Sequence, residues 1–133
     1  MKRILSILFL LTIVTNLFGQ TISHIETTKS WYYIYDQDGK KIRTISTSQG
    51  ELMAYSANFY IIKQGSAFYI TYGADGKRLH AFSVSQVGEI LNASGDTFTS
   101  KTRSWIYTWT KDGKKVATRT TSGSLFFKID SNF

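Results

Sequence analysis

The sequence predicts an all-β domain built from three tandem units, each contributing four short strands. Three observations predict it: a phrase repeated at a constant step of 37 residues, an Asp-Gly turn at the same place in every copy, and alternating aromatic residues before that turn. The copies of the phrase begin at Trp31, Phe68 and Trp105. A fixed period of this length indicates one supersecondary unit copied in tandem, so we treat the three copies as structural equivalents.

The beginning of the chain has the pattern of a secretory signal peptide. Lys2 and Arg3 precede an apolar run over residues 4–18, which is shorter than the roughly 20 residues that span a bilayer. The alternative is a short membrane anchor. We expect a signal peptide at residues 1–20, followed by one domain at 21–133 with repeats at 22–58, 59–96 and 97–131. Export would place the protein in the periplasm or outside the cell, with no membrane attachment after the signal is removed.

Composition narrows the partners of the mature chain. Without residues 1–20 it carries 14 Lys and Arg against 9 Asp and Glu, a net charge of +5 that favours an acidic partner. No cysteine is present, so the domain must fold without disulfide bonds. Nucleic acid is not expected as a partner, because export separates the protein from it.

Each phrase opens with a strand in which large side chains alternate. In the first copy Trp31, Tyr33 and Tyr35 share one face, and Tyr32 and Ile34 share the other. The face that begins at Trp31 is aromatic at eight of its nine equivalent positions, so we expect it to form the shared core. Its other members are Phe68, Ile70 and Tyr72 in the second copy, and Trp105, Tyr107 and Trp109 in the third.

A hairpin turn, a return strand and two further strands complete each unit. Glycine accepts a positive φ, and aspartate tolerates the left-handed region, so Asp-Gly predicts a tight hairpin. The turns are Asp38-Gly39, Asp75-Gly76 and Asp112-Gly113. A third strand is expected at Glu51–Tyr55, Glu89–Asn92 and Ser124–Phe127, and the fourth lies before the aromatic strand, near residues 22–26, 59–63 and 97–101.

Two architectures fit three such units. A β-trefoil closes with three four-stranded units about a pseudo-threefold axis, and this is the arrangement we expect. The alternative is a set of three propeller-like β-meander blades, which would need a second chain to close a ring, because propellers have four to eight blades.

The phrase Trp-x-Tyr-x-Tyr-Asp-x-Asp-Gly-Lys resembles the WG-type β-hairpin repeats and the small exported proteins built from them. The resemblance covers the hairpin of each copy, about half of the mature chain. This sequence differs in having Tyr32, Tyr69 and Ile106 where those repeats have glycine. The resemblance implies a role in binding.

Candidate binding residues recur with the repeat. We expect the bases after each turn to meet an anionic polymer, although lysine at a hairpin tip also serves solubility. These bases are Lys40, Lys41, Lys77, Arg78, Lys114 and Lys115. Tyr32 and Tyr69, opposite the aromatic face, are expected to be exposed rings that could stack on a sugar, whereas Trp31, Trp105 and Trp109 are expected in the core.

No catalytic or metal-ligating constellation emerges from the sequence. A nucleophile needs a positioned base, and no Gly-x-Ser-x-Gly elbow occurs. Asp36-Gln-Asp38 resembles the start of a calcium loop, but Thr47 stands where its bidentate acid should be. His24 and His80 occupy non-equivalent places in different copies. We therefore expect no cofactor and no metal.

The sequence thus predicts an exported, non-enzymatic module that binds a glycan or another anionic polymer. The alternative is a structural protein that docks a protein partner or a second copy of itself. A hydrolase that uses Glu51 and Glu89 is a remote third hypothesis.

Overall fold

The computed structural model describes residues 20–121, which form eleven β-strands, a single-turn 3-10 helix and a single-turn α-helix. The strands are β1 (His24–Thr27), β2 (Trp31–Tyr35), β3 (Lys41–Ser46), β4 (Glu51–Tyr55), β5 (Phe59–Gln64), β6 (Phe68–Gly73), β7 (Arg78–Ser83), β8 (Glu89–Ser94), β9 (Thr97–Lys101), β10 (Trp105–Thr110) and β11 (Lys115–Thr120). The 3-10 turn covers Thr47–Gln49, and the helix, α1, covers Val84–Val87.

The strands form three antiparallel meanders, which confirms the all-β prediction. The first sheet has the order β1-β2-β3, the second β4-β5-β6-β7, and the third β11-β10-β9-β8. Over residues 20–121 no helix is long and apolar enough to cross a membrane.

The sheets are offset from the sequence repeats by one strand. β4 follows β3 along the chain but pairs with β5, so the third strand of the first repeat is the first strand of the second sheet. β8 does the same for the third sheet. The corresponding strand predicted for the last repeat, 124–127, lies outside the described residues. Among the residues described, the first sheet has three strands and each of the others has four.

The hairpin tips contain the Asp-Gly pairs as expected, but their geometry differs from a two-residue turn. Gly39 has a φ of 77°, whereas no residue other than glycine in the described chain has a positive φ. The loop closes through a bond from the Asp36 N–H to the Lys40 carbonyl, and the Asp36 carboxylate accepts the N–H groups of Asp38 and Lys40. This side-chain turn gives the Asp36 carboxylate a structural role in the hairpin tip.

The second sheet lies between the other two and is buried on both faces. Along β5, Tyr60 and Ile62 belong to one apolar cluster, while Phe59 and Ile61 belong to a second. Because successive side chains of a strand point to opposite faces, the two clusters lie on opposite sides of β5. The first cluster joins the first and second sheets through Ile22, Ile25, Tyr32, Ile34, Ile45, Tyr60, Ile62 and Ala74. The second joins the second and third sheets through Phe59, Ile61, Tyr69, Phe82, Val87, Ile90, Phe98 and Trp109.

The prediction of one shared aromatic core face is therefore wrong in part. In the first sheet the buried face is that of Tyr32 and Ile34, and Trp31 is exposed. Ile70 and Trp109 are buried as expected. The prediction failed because the first sheet packs through the face of Tyr32 and Ile34, and the second sheet packs through both of its faces, so no single face supplies the core.

Candidate functional site

Three exposed aromatic rings occupy equivalent positions, one in each repeat. Trp31, Phe68 and Trp105 are 43%, 47% and 44% exposed, although all three belong to the predicted core face. Phe68 and Trp105 lie on strands that supply buried side chains further along, such as Ile70 and Trp109. Each exposed ring stands at the first residue of its strand, at the end of the sheet opposite the Asp-Gly tips.

The turn before each tryptophan contains an exposed base. In the first repeat the sequence is Thr28-Lys29-Ser30-Trp31, and in the third it is Thr102-Arg103-Ser104-Trp105. The N–H of Thr28 donates to the Trp31 carbonyl at 2.8 Å, and the N–H of Thr102 donates to the Trp105 carbonyl at 2.9 Å. Lys29 and Arg103 are both exposed within these two-residue turns. The second repeat carries Gly65-Ser-Ala67 at this place and has no base there.

A hydroxyl residue faces each ring from the neighbouring strand. Trp31 is paired with Ser46, Phe68 with Ser83, and Trp105 with Thr120. Side chains directly opposite each other across an antiparallel pair lie about 5 Å apart at their Cβ atoms. The Ser46 hydroxyl lies 2.8 Å from that of Ser48, and the equivalent Ser83 and Ser85 hydroxyls are 2.9 Å apart.

We call each ring with its facing hydroxyl residue an aromatic-hydroxyl site. The three sites are Trp31 with Ser46, Phe68 with Ser83, and Trp105 with Thr120. A flat, half-exposed ring offers an apolar surface to the C–H face of a sugar, while hydroxyl groups can exchange hydrogen bonds with sugar hydroxyls. An adjacent lysine or arginine can pair with a carboxylate or sulfate on that sugar.

The six bases at the hairpin tips are all exposed, at the opposite end of the strands. The Lys41 ammonium lies 4.3 Å from the centroid of Tyr33, and the Lys115 ammonium lies 4.3 Å from that of Tyr107. These two lysines therefore interact with the rings of their own hairpins. Their neighbours Lys40 and Lys114 have no such contact with a ring of residues 20–121. The binding of an anionic polymer by the tips stays a prediction.

Acidic groups interrupt the positive charge at that end. The Lys111 ammonium lies 3.3 Å from the carboxylate of Asp96 and 3.6 Å from that of Asp112. Asp96 also accepts a hydrogen bond from the Asn58 amide at 2.7 Å, and the bonds from Asn58 and Lys111 hold the pKa of Asp96 below its usual value. An open cleft of about 470 Å³ nearby is lined by both Asp75 and Lys111. The tip end is therefore mixed in charge.

The expectation that Tyr32 and Tyr69 are exposed rings is wrong. Both are buried, and each hydroxyl donates to a backbone carbonyl at 2.7 Å: Tyr32 to Gly50, and Tyr69 to Gly88. Their bonds hold the start of the first strand of the next sheet, so the rings join neighbouring sheets. Burial, followed by the charges of Glu89 and Glu51, raises the pKa of Tyr69.

The histidines and acids do not form a metal site within residues 20–121. No group of three His, Cys, Asp or Glu side chains comes together there. His24 stacks on Tyr35 with ring centroids 6.1 Å apart, and His80 packs edge-on against Phe82 at 4.6 Å. Both imidazoles are thus part of aromatic pairs on separate sheets.

The exposure of Trp31 and Trp105 could have been predicted from a motif in the sequence. The motif Thr-(Lys/Arg)-Ser-Trp occurs in the first and third copies, and a base in a two-residue turn indicates that the turn is solvated. A tryptophan directly after a solvated turn lies at the end of its strand. Alternation alone assigned it to the buried face.

No protein-family model matches the sequence, and comparison with curated proteins finds no match. The resemblance to WG-type repeats consequently stays a prediction.

Proposed function

We propose that this chain is an exported, non-enzymatic module that binds an acidic polysaccharide through its aromatic-hydroxyl sites. The observation that carries the proposal is the near-equal exposure of Trp31, Phe68 and Trp105 at equivalent positions. The exposed large apolar side chains of the described chain also include Leu91 and Val116, which lack this threefold recurrence. Scattered apolar residues are ordinary on a protein surface, but recurrence at one register position indicates a repeated site.

The bases in the turns favour an acidic polymer over a neutral one. Lys29 and Arg103 are exposed and lie two residues before the two tryptophans. Each would pair with a carboxylate of the sugar stacked on the ring. The predicted signal peptide and the resemblance to binding repeats support the same interpretation. Three weak sites on one chain would bind a polymer with avidity, since the second and third contacts become intramolecular.

For this function, the three sheets would be arranged as a stack of propeller-like blades. Separate meanders that pack face to face, each with its own pairing, favour propeller-like blades over the shared barrel of a β-trefoil. In a stack of blades the three rings would follow one another along one rim, as a linear polymer requires.

The test compares binding of polygalacturonate with binding of neutral dextran by calorimetry. Trp31→Ala and Trp105→Ala are each expected to weaken polygalacturonate binding at least fivefold, and the double variant more strongly. Leu91→Ala is the matched control, because it removes an equally exposed apolar side chain outside the sites. Arg103→Gln should weaken binding and reduce its salt dependence.

A second arm separates the rings from the hairpin tips. A triple variant with Lys40, Lys77 and Lys114 replaced by glutamine should retain most of the affinity if the aromatic-hydroxyl sites are responsible. If the triple variant lost all polysaccharide binding while Trp31→Ala and Trp105→Ala bound normally, the binding site would be the hairpin tips and not the aromatic-hydroxyl sites. Absence of binding to any acidic polysaccharide at low salt would refute the proposal.

A further inference from the structure

The interface between the first and second sheets is repeated, position for position, between the second and third. In the second interface Phe82 of β7 contacts the rings of Phe98 and Trp109, with centroids 5.1 and 5.7 Å apart. In the first, Ile45, the residue equivalent to Phe82, lies in the same cluster as Tyr60, with Tyr72 packed against it. Each sheet therefore presents one kind of face to the sheet before it and another kind to the sheet after it.

The face of a sheet that packs against the preceding sheet contains a stacked pair of rings. The two residues are direct partners across neighbouring strands: Tyr60 with Tyr72 in the second sheet, and Phe98 with Trp109 in the third. The first sheet carries the equivalent pair, His24 with Tyr35, stacked with an interplanar angle of 18°. No preceding sheet covers this pair within residues 20–121, and His24 is exposed.

At the opposite end of the stack lies the outer face of the third sheet. It corresponds to the face through which the first and second sheets each pack against the next sheet. On the third sheet, Thr108 and Arg119 are equivalent to Ile34 and Ile45 of the first sheet. Ile34 and Ile45 are buried against the next sheet, whereas Thr108 is half-buried and Arg119 is exposed. This face is not packed against the first sheet of the same chain in the way that the internal interfaces are packed.

We propose that a second copy of this chain closes the stack. The third sheet of each copy packs against the first sheet of the other, giving a ring of six sheets with a two-fold axis. An interface that joins two different faces closes into a ring when the rotation allows it. Rings of four-stranded sheets have four to eight members, so two chains of three sheets fit, whereas one chain falls short and three chains exceed the range.

Charge complementarity supports the same pairing. The position equivalent to Phe82 is Arg119, so its guanidinium would lie over the His24–Tyr35 pair of the other copy. Glu26, on the same face of the first sheet, accepts a hydrogen bond from the Tyr35 hydroxyl at 3.1 Å and is exposed. An arginine stacked on a tyrosine ring beside a carboxylate is a favourable arrangement at an interface.

The first test is the mass of the purified chain by light scattering, with twice the protomer mass expected at micromolar concentration. Arg119→Glu should raise the dimer dissociation constant at least tenfold, because it places two carboxylates together. Glu26→Arg should do the same, and the double charge swap should restore the dimer. Lys77→Glu is the control: the same charge change on an exposed residue at the hairpin tip of the second sheet.

Cross-linking tests the contact directly, since the chain has no cysteine. A mixture of Glu26→Cys and Arg119→Cys chains, treated with a short bis-maleimide, should give a heterodimer in high yield, and Lys77→Cys mixed with Arg119→Cys should not. A monomeric wild-type chain would overturn the proposal, as would a dimer that neither the charge variants nor this cross-link affect. The proposal does not depend on polysaccharide binding, and the assays for the two are separate.

Discussion

The hydroxyl of Tyr32 lies 2.7 Å from the carbonyl oxygen of Gly50, to which it donates, and it accepts the N–H of Leu52 at 3.0 Å. One phenol thus satisfies two backbone groups where the chain enters the second sheet. Tyr69 forms the equivalent bond to Gly88 at the third sheet. The position equivalent to these tyrosines in the last repeat is Ile106, which has no hydroxyl.

The first prediction follows from this bond. Tyr32→Phe should lower the free energy of unfolding by about 1–3 kcal/mol, because the part-buried Gly50 carbonyl and Leu52 N–H lose their partner. Urea unfolding followed by tryptophan fluorescence measures the change. Tyr33→Phe is the control, since the Tyr33 ring contacts Lys41 through its face. Equal effects of the two substitutions would contradict the proposed role of the hydroxyl.

The second prediction concerns the backbone at Gly50. Its φ is +141°, and an added Cβ would overlap the carbonyl oxygen of Lys63 on the neighbouring strand. Gly50→Ala should therefore cost more than about 3 kcal/mol, by adding backbone strain to overpacking. Gly39→Ala should cost only about 1 kcal/mol, because Gly39 has a positive φ but nothing within 4 Å of the added methyl. Thermal unfolding of both variants provides the comparison, and a smaller loss at Gly50 than at Gly39 would refute it.

The positions of the strands could be predicted from the sequence, whereas their grouping into sheets could not. Alternation and the Asp-Gly turns locate the hairpins, because both are local properties. Whether β4 pairs with β3 or with β5 depends on the direction in which the chain leaves Gly50, and the side-chain pattern of β4 fits either neighbour. The pairing is a tertiary property, which alternation does not encode.

The candidate site was only partly predictable for a related reason. Trp31 and Tyr33 are both aromatic and share a face, yet Trp31, the first residue of the strand, is exposed and Tyr33 is half-buried. Tyr32 and Tyr69 are buried because their shared face packs against the next sheet, which three copies of one alternating strand cannot reveal. The basic tips were correctly expected to be exposed, since charged hairpin ends remain solvated.

The third prediction concerns alkaline pH. Burial, the largest cause, raises the pKa of Tyr60 to about 12, from an ordinary value near 10. The neutral phenol is thus favoured in the folded state. Its contribution to stability is fully present below pH 10 and is lost as the pH rises towards 12. Urea unfolding at intervals from pH 8 to 11.5 should show this loss of stability. Tyr60→Phe should make the free energy of unfolding less dependent on pH over the same range. A pH dependence unchanged by that substitution would contradict the assignment.

The fourth prediction concerns acidic pH and the junction of the second and third sheets. Asn58 and Lys111 both donate to Asp96, and these bonds hold the pKa of its carboxyl below the ordinary value. A lowered pKa means that the contribution is present above the ordinary carboxyl pKa, and is lost as the pH falls through the folded value. Because Asp96 is exposed, we expect Asp96→Asn to lower the melting temperature by only about 1–4 °C at pH 7.

The difference between Asp96→Asn and the wild-type chain should be smaller at pH 2.5 than at pH 7, since the protonated fraction of the carboxyl increases as the pH falls towards its lowered pKa. Asp38→Asn is the matched control at an exposed hairpin tip, where no salt bridge forms within the described chain, and its effect should be smaller at neutral pH. Differential scanning calorimetry at both pH values measures the comparison. A melting-temperature difference for Asp96→Asn that stays constant, or grows, on acidification would show that the ionised carboxylate does not hold the two sheets together.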